Sequence, residues 1–372
     1  MNTNLVKKLY STGRISAKEP KSIYRPVAPI AVDPDKVEGM LLGVAIGDAL
    51  GGTSEWMSPG ERYSQFGFIE RYVTSSAKPD LGLPTDDTQL TFDTVDVILD
   101  RGYLDGAALA KQFVSHDIFG IGSTVSQFVK NYVELGYPWY ESGVRGGAGN
   151  GALMRISAAL IPSLKSEKEN LVADTILDTM ITHNSPMTIG TAVAFTKLLR
   201  RLMAGRDPRE RGEMTDQFAY VTSRFTGNDV YRTKSTIAAG YEGSVPDFLR
   251  MTVSSGLKQR MSMSEFGERF GSGLDGLDTA AVVLFILERH LDDPEAAILK
   301  AVNHTLDNDT VGAIVGAAMG ARYGKKAFRA EWINDLSGRT RTHDDGAVFK
   351  KIAAVKKFLR QPGPGQRKAN LL

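Results

Sequence analysis

The 372-residue sequence contains no cysteine, and this absence excludes disulfide bonds, thiolate metal sites and cysteine nucleophiles. It also contains no apolar run close to the ~18 residues that a membrane-spanning helix requires. The N-terminus has neither the apolar stretch nor the small-residue cleavage site of a secretory signal. Together these absences lead us to expect a cytoplasmic protein that makes no contact with membranes.

A strong excess of one charge is missing as well, because 45 Lys and Arg residues face 43 Asp and Glu residues. Residues 1–32 nevertheless carry a local net charge of +5 and residues 360–372 one of +3, which leaves an acidic body between them. An acidic body argues against a nucleic-acid-binding protein, which needs a basic face along the phosphate backbone. The 42% of hydrophobic residues is ordinary for a globular protein and suffices for a sizeable core.

Alternation of apolar and polar residues, the pattern of half-buried strands, is scarce, whereas apolar residues at helical spacing recur. Asp33 and Pro34 form a typical helix start, and Gly51 and Gly52 a typical helix end. The sequence therefore predicts an all-α fold. Further helices are predicted from Thr85 to near Gly102, from Ser123 to Val133, and over residues 150–160, 167–182, 187–203, 276–290, 293–303 and 309–323.

We expect three parts along the chain. Residues 1–32 contain three prolines and no sustained helical period, so they are predicted to form an extended basic arm; a solvated tail is the alternative. Residues 33–360 show no internal repeat and no strong linker, which favours one compact domain. Residues 361–372, rich in proline and glycine, are predicted to be a flexible tail.

Two of the predicted helix starts each carry two aspartates and a threonine. They are Thr85, Asp86 and Asp87 in one, and Asp307, Asp309 and Thr310 in the other. Each motif alone has a structural interpretation, because threonine caps helices and aspartate in the first turn favours the helix dipole. Together they offer six hard oxygen ligands, which suit Mg²⁺ or Mn²⁺ in a two-metal site with ions ~3.5–4 Å apart.

Other polar residues interrupt apolar segments. Asp48 lies on a helix face that should be buried, and a buried carboxylate needs a partner or a metal. The alternative is that Asp48 caps nearby backbone groups at a helix end. The glycine-rich residues 146–151 precede a helix and either bind phosphate through backbone N–H groups or form a flexible turn. Two interpretations of His183 are open: it contacts a ribose or phosphate of a ligand, or it caps the preceding helix. The five histidines form no i, i+4 pair, which argues against a zinc hydrolase.

Five segments occur in the order in which one known family carries them. They are Gly47-Asp48-Ala49-Leu50-Gly51 with Glu55, Thr85-Asp86-Asp87-Thr88-Gln89, Gly149-Asn150-Gly151-Ala152-Leu153-Met154-Arg155, Thr182-His183, and Asp307-Asn308-Asp309-Thr310-Val311-Gly312-Ala313-Ile314. Over residues 35–325 the chain resembles the ADP-ribosylglycohydrolases, the family of the dinitrogenase reductase-activating glycohydrolase. The resemblance implies an all-α fold, a centre of two Mg²⁺ or Mn²⁺ ions, and removal of ADP-ribose from modified side chains, often arginine.

The resemblance also implies roles for individual residues, with Glu55 as the acid beside the reacting ribose. The implied metal ligands are Thr85, Asp86, Asp87, Asp307, Asp309 and Thr310. The implied ADP-ribose contacts are Gly146, Gly147, Gly149, Asn150, Gly151, His183, Gly122 and Ser123. Two departures stand out: Thr305 and Leu306 replace the usual Gly-Gly pair, and the segment around Gly122 lacks an aspartate for which Asp117 is the available substitute.

Some bacterial members of this family are immunity proteins whose N-terminal extension enters the active site of an ADP-ribosyltransferase toxin. Residues 1–32 resemble such an extension. We therefore expect a metal-dependent hydrolase of ADP-ribosylated proteins, with a cognate toxin as a partner of residues 1–32. Two alternatives stay open: a two-metal phosphohydrolase acting on a nucleotide, and a non-catalytic inhibitor of a transferase.

Overall fold

In the computed structural model, α-helices make up most of the chain, and the only strands in the described part are four of two residues each. The predicted all-α fold is therefore confirmed. The structure describes residues 2–20, 30–73, 81–166, 170–227, 229–232, 240–273 and 275–361. Most of the predicted tail, residues 362–372, and residues 21–29 of the predicted arm lie outside these ranges.

The helices in the first half of the chain precede or flank the glycine-rich residues 146–151. They are α1 (Asn2–Ser11), α2 (Pro34–Gly51), α3 (Pro59–Phe66), α4 (Asp86–Arg101), α5 (Gly106–Phe113), α6 (Ser123–Val129), α7 (Trp139–Ser142), α8 (Ile161–Lys165) and α9 (Leu171–Thr182). Short 3₁₀ helices cover Gly52–Ser54 and Ile156–Leu160, and a π-helical turn, Lys130–Glu134, extends α6.

The second half adds a further group of helices. They are α10 (Pro186–Met203), α11 (Glu213–Thr226), α12 (Val245–Lys258), α13 (Met263–Phe270), α14 (Gly276–His290), α15 (Pro294–His304), α16 (Asn308–Tyr323), α17 (Ala330–Asn334) and α18 (Ala347–Arg360), with a 3₁₀ turn at Gly324–Ala327. Strand β1 (Val144–Arg145) pairs in parallel with β2 (His183–Asn184), and β3 (Tyr231–Arg232) pairs antiparallel with β4 (Glu242–Gly243). None of the described helices is long and apolar enough to cross a membrane.

The two central helices, α2 and α16, meet backbone to backbone and run antiparallel. Gly39 faces Gly320, Gly43 faces Gly316 and Gly47 faces Gly312, each opposite the other's carbonyl group. A Cβ atom on any of these glycines would lie closer than 3.0 Å to backbone atoms of the other helix. Glycine is therefore required here by the close approach of two helices.

This contact decides where the acidic residues lie. Because the helices are antiparallel, the C-terminal end of α2, with Asp48, lies beside the N-terminal end of α16, with Asp309. Gly51 completes the approach, since a Cβ there would meet backbone atoms of Asn308 and Asp309. Both helices are buried over nearly their whole length, so these aspartates are placed inside the molecule.

The prediction of an extended segment over residues 1–32 is wrong for residues 2–11, which form α1. The helix buries Val6 and Leu9, and the following residues bury Ile15 and Ala17. The Nδ2 of Asn2 donates to the carboxylate of Asp174 (2.6 Å) on α9 and to the carbonyl of Leu104. The three prolines misled the prediction because all of them follow α1 in the chain.

Residues 13–16 pack against the short sheet of β1 and β2, whose strands lie before and after the glycine-rich residues 146–151 in the chain. The Oδ1 of Asn184 accepts from the backbone N–H of Ser16 (2.9 Å), and its Nδ2 donates to the carbonyl of Arg14 (2.7 Å). The guanidinium of Arg145 donates to the Ser16 hydroxyl and to the carbonyl of Gly13. The N-terminal segment is thus part of the packed body.

Several helices were missed or misplaced by the sequence analysis. Over residues 150–160 the structure has turns followed by the 3₁₀ helix Ile156–Leu160, and the start predicted at residue 167 lies outside the described residues. Helices α3, α5, α11, α12, α13 and α18 were not predicted. For α3 and α13 the sequence did carry a signal, because Ser58 with Glu61, and Ser262 with Glu265, form capping boxes.

Replacing Gly43 by alanine should destabilise the protein, although Gly→Ala inside a helix ordinarily stabilises by ~0.5–1 kcal/mol. The added Cβ must push α2 away from α16, and overpacking of this kind costs ~1–3 kcal/mol or more. Urea unfolding should show the loss. Gly60→Ala is the matched control, since a Cβ on Gly60 of α3 meets open space; equal effects of the two substitutions would contradict the close-contact interpretation.

Deleting residues 1–20 should lower the free energy of unfolding, because it removes the buried side chains of Val6, Leu9 and Ile15. The burial of each such side chain stabilises the folded state by ~1.5–3 kcal/mol. Thermal unfolding of the truncated and full-length proteins measures the difference. Identical melting temperatures would show that this segment does not belong to the core.

Candidate active site

Five carboxylates from four places in the chain converge at the junction of α2 and α16. One oxygen from each of Asp48, Asp87 and Asp309 lies within 4.8 Å of the others, and the same holds for Glu55, Asp307 and Asp309. The two groups share Asp309. The structure therefore brings together four of the sequence-predicted residues, namely Glu55, Asp87, Asp307 and Asp309, and adds Asp48.

Asp48 ties the end of α2 to the start of α4. Its carboxylate accepts the backbone N–H and hydroxyl of Thr85 (2.9 and 2.8 Å) and those of Thr88 (3.0 and 2.5 Å). The first turn of α4 is thus capped by a residue from another helix, while the Thr85 hydroxyl makes no capping bond within its own helix. The carboxylate that sequence analysis singled out by its burial fixes the position of Asp87.

Crowding and burial raise the pKa values of these acids. Burial is the main cause for Asp87 and Asp309, whose pKa values lie well above the ordinary range, and the neighbouring carboxylates raise them further. The pKa of Glu55 is raised to about 7, first by burial and then by the charges of Asp307 and Asp48. So many like charges in one buried place favour a bound cation.

The donor set fits a hard divalent cation. The Oδ1 of Asp87 is buried, and no group among the described residues donates a hydrogen bond to it. The converging atoms are carboxylate oxygens, the ligands that Mg²⁺ and Mn²⁺ prefer. Asp48, Asp87 and Asp309 would hold one ion, and Glu55 and Asp307 form a second group with Asp309.

The three remaining predicted ligands lie at the edge of this centre. Thr85 donates its hydroxyl to Asp48, and Thr310 donates its backbone N–H to its neighbour Asp309 (2.8 Å). Asp86 is half-buried and outside both carboxylate groups, beside Gly120. Their assignment as ligands stays a prediction.

The glycine-rich residues 146–151 follow β1 and lie against the start of α14. Gly149 forms a bridge with Asp275, and Gly276 donates its N–H to the carbonyl of Ala148 (2.7 Å). The Nδ2 of Asn150 donates to the Oδ2 of Asp307 (2.6 Å). Asn150 therefore connects the predicted ADP-ribose loop directly to the carboxylate centre, a contact that the sequence analysis did not foresee.

His183 lies underneath this loop. His183 is 1% exposed, and its ring atoms lie 3.2 to 3.6 Å from the points that a Cβ atom on Gly149 or Gly151 would occupy. Burial, with the charge of Arg155, lowers the pKa of His183 to about 3, so the ring is neutral. Its Nδ1 bonds to the Thr182 hydroxyl (2.8 Å). His183 supports the loop from below, and its contact with a ligand stays a prediction.

Gly122 and Ser123 lie at the exposed start of α6. The preceding residues are anchored by Gln89 of α4, which donates to the carbonyl of Asp117 (3.0 Å) and accepts the N–H of Phe119 (2.9 Å). Asp117 is thus held by its backbone with its side chain at the surface. The segment borders the carboxylate centre through Gly120 and Asp86.

Removing divalent cations should make the stability of the protein fall as the pH rises. The pKa of Glu55 is raised from 4.5 to about 7, so between these values the folded state binds more protons than the unfolded state, and stability is lost on deprotonation. Mn²⁺ should therefore raise the melting temperature more at about pH 8 than at about pH 5. Calorimetry with EDTA and with Mn²⁺ tests this, and an equal or larger shift at the lower pH would contradict it.

Known proteins resemble this chain over most of its length. The chain is 25% identical over 312 residues, 81% of its length and 90% of the relative's, to ADP-ribosyl-[dinitrogen reductase] glycohydrolase of Rhodospirillum rubrum. It is 23% identical over 316 residues, 82% of its length and 74% of the relative's, to ADP-ribosylarginine hydrolase Tri1 of Pseudomonas putida (strain GB-1).

A solved structure described as an ADP-ribosylglycohydrolase-related protein complex has the same fold. It superimposes with a TM-score of 0.63 at 23% identity and covers 88% of this chain and 98% of its own. The family model for ADP-ribosylglycohydrolase matches residues 30–361. With the carboxylate centre and the glycine-rich loop in place, the chain belongs to the ADP-ribosylglycohydrolase family.

Proposed function

We propose that this protein hydrolyses the N-glycosidic bond between ADP-ribose and an arginine side chain of a modified protein. The observation that carries the proposal is the Asn150–Asp307 hydrogen bond, because it joins a loop suited to phosphate to a centre suited to divalent cations. The relatives named for activity on ADP-ribosyl-dinitrogen reductase and ADP-ribosylarginine support the substrate class.

We infer that two divalent cations, Mg²⁺ or Mn²⁺, are the cofactors. The two carboxylate groups share Asp309 and so offer two adjacent positions rather than one. Cations bound there would orient the ribose hydroxyls and offset the negative charge of the centre.

Hydrolysis breaks the bond between C1 of the ribose and the guanidine nitrogen, and forms a bond between C1 and a water oxygen. C1 becomes oxocarbenium-like in the transition state, which a nearby carboxylate stabilises. The leaving nitrogen takes up a proton, and the attacking water gives one up. The chain must therefore place a proton acceptor beside C1.

Glu55 is the carboxylate suited to take the proton of the water. It is half-buried, whereas the four aspartates of the two groups are almost fully buried. Its pKa of about 7 matches the working pH of a general base. Asp307, in the same carboxylate group as Glu55, accepts a hydrogen bond from Asn150, so this group is joined to the glycine-rich loop.

The proposed substrate is an ADP-ribosylated protein, and the toxin-binding role of residues 1–32 has less support. The hypothesis assumed an extended basic arm over residues 1–32, but residues 2–11 form α1, and Val6, Leu9 and Ile15 are packed in the core. Lys21 and Arg25 lie outside the described residues. The immunity function therefore stays a hypothesis, which rests on the resemblance of residues 1–32 to such an N-terminal extension.

Glu55→Gln should lower kcat for release of ADP-ribose from an ADP-ribosylarginine substrate by ~10²–10⁴-fold, because the amide keeps the shape but accepts no proton. Chromatographic detection of free ADP-ribose in the presence of Mn²⁺ is the measurement. Glu331→Gln, an exposed glutamate of α17, is the matched control and should leave kcat unchanged.

The products distinguish the open alternatives. A phosphohydrolase would release AMP or inorganic phosphate instead of ADP-ribose, and a non-catalytic inhibitor would release neither. Unchanged turnover in Glu55→Gln with ADP-ribose as product would keep the reaction and remove Glu55 from its role.

A further inference from the structure

Arg62 of α3 is a buried arginine beside the turn that carries Glu55. It is 1% exposed, and its Nε donates to the hydroxyl of Ser54 (3.0 Å). Its Nη2 donates to the carbonyls of Ser54 (3.3 Å) and Met57 (2.9 Å). One guanidinium therefore holds both ends of the turn formed by residues 54–57.

The turn needs such a restraint. Trp56, the residue after Glu55, has a φ of +68°, a left-handed conformation that is unfavourable for a bulky side chain. Its side chain is 67% exposed, so packing does little to hold it in place. The hydrogen bonds of Arg62 to Ser54 and Met57, together with the backbone bond from the Met57 N–H to the Ser54 carbonyl (3.2 Å), close this turn around Glu55.

Arg62 also connects this turn to the other aspartates. The hydroxyl of Ser54 accepts a second hydrogen bond, from the Nδ2 of Asn308 (3.0 Å), the residue before Asp309. The Nη1 of Arg62 is buried, and it has no hydrogen-bond acceptor among the described residues. The Asp309 carboxylate is the neighbouring charge that favours the cationic form of Arg62, whose pKa burial lowers to about 10.

We propose that Arg62 is a positioning residue that holds the Glu55 turn in its productive conformation and places a positive charge behind the carboxylate centre. The proposal rests on the proposed hydrolase function. Lysine cannot replace arginine in this role, because a single ammonium group lacks the planar fork that reaches Ser54 and Met57 together.

A merely structural arginine would affect stability without affecting the chemical step, so kinetics must separate the two. Arg62→Lys should lower kcat by about tenfold or more, since misplacing a catalytic group by ~1 Å costs ~10²-fold, while KM changes little. Arg62→Ala should regain part of its kcat when guanidinium ion is added, relative to wild-type protein in the same solution.

Arg322→Lys is the matched control. Arg322, at the far end of α16, is also largely buried and donates to Leu291, Asp292 and Asp207. This substitution should lower the melting temperature and leave kcat unchanged. Equal losses of kcat in the two variants, or no loss in Arg62→Lys, would overturn the proposal.

A second readout does not depend on activity. Of the three tryptophans, Trp56 is 67% exposed, Trp139 is half-buried and Trp332 is 1% exposed, so iodide should quench Trp56 most strongly. Arg62→Lys should shorten the anisotropy decay of the iodide-quenchable emission, because Trp56 moves more freely when its turn is less restrained. An unchanged decay would overturn the proposal that Arg62 holds this turn. If the wild-type protein releases no ADP-ribose, the proposed function fails, and this measurement still decides whether Arg62 restrains the turn.

Discussion

The close contact between the glycine faces of α2 and α16 is the constraint on which the active-site region depends. With no side chains between them, the two helices approach until carbonyl groups of one face α-carbons of the other. The antiparallel arrangement then places Asp48 and Asp309 at one end of the pair. A larger residue at Gly47 or Gly312 would separate the elements that carry these two carboxylates.

The centre formed in this way is electrostatically unfavourable by itself. Asp48 is stabilised by N–H groups of the first turn of α4, where the helix dipole favours negative charge. Asn150 donates to Asp307, and the positive charge of Arg62 interacts favourably with Asp309. These contacts do not fully offset the cost of burying the charges, and burial therefore keeps the pKa values of Asp87 and Asp309 well above their ordinary range. A site that holds repelling charges together is suited to binding cations and to using a carboxylate with a raised pKa as a base.

Much of this arrangement could be predicted from local sequence patterns. The helix starts at Asp86 and Asn308 could be predicted from residue types and apolar periodicity, although neither Thr85 nor Asp307 makes a side-chain capping bond to its own helix. The acidic composition of these starts indicated where ligands would lie. The apolar periodicity of residues 309–323 predicted a helix. The burial of its glycines could not be predicted in the same way, because it depends on contact with α2, more than 250 positions earlier in the chain. The same reason hid the roles of Asn150 and Arg62, whose partners are distant in sequence or belong to backbone groups. In α1 the local signal was misread, because the prolines that follow it were given more weight than Val6 and Leu9.

We infer that the contact between α2 and α16, and not the acidic residues alone, creates the proposed cation site. Titration of the metal-stripped protein with Mn²⁺ by calorimetry, in wild type and in Gly312→Ala, tests it most directly, with circular dichroism confirming that both are helical. Gly312→Ala retains every carboxylate, but its Cβ would press on the backbone of Gly47. We expect two bound ions in the wild type and a loss of affinity of about tenfold or more in the variant, ~1.4 kcal/mol per tenfold. Unchanged stoichiometry and affinity would contradict it.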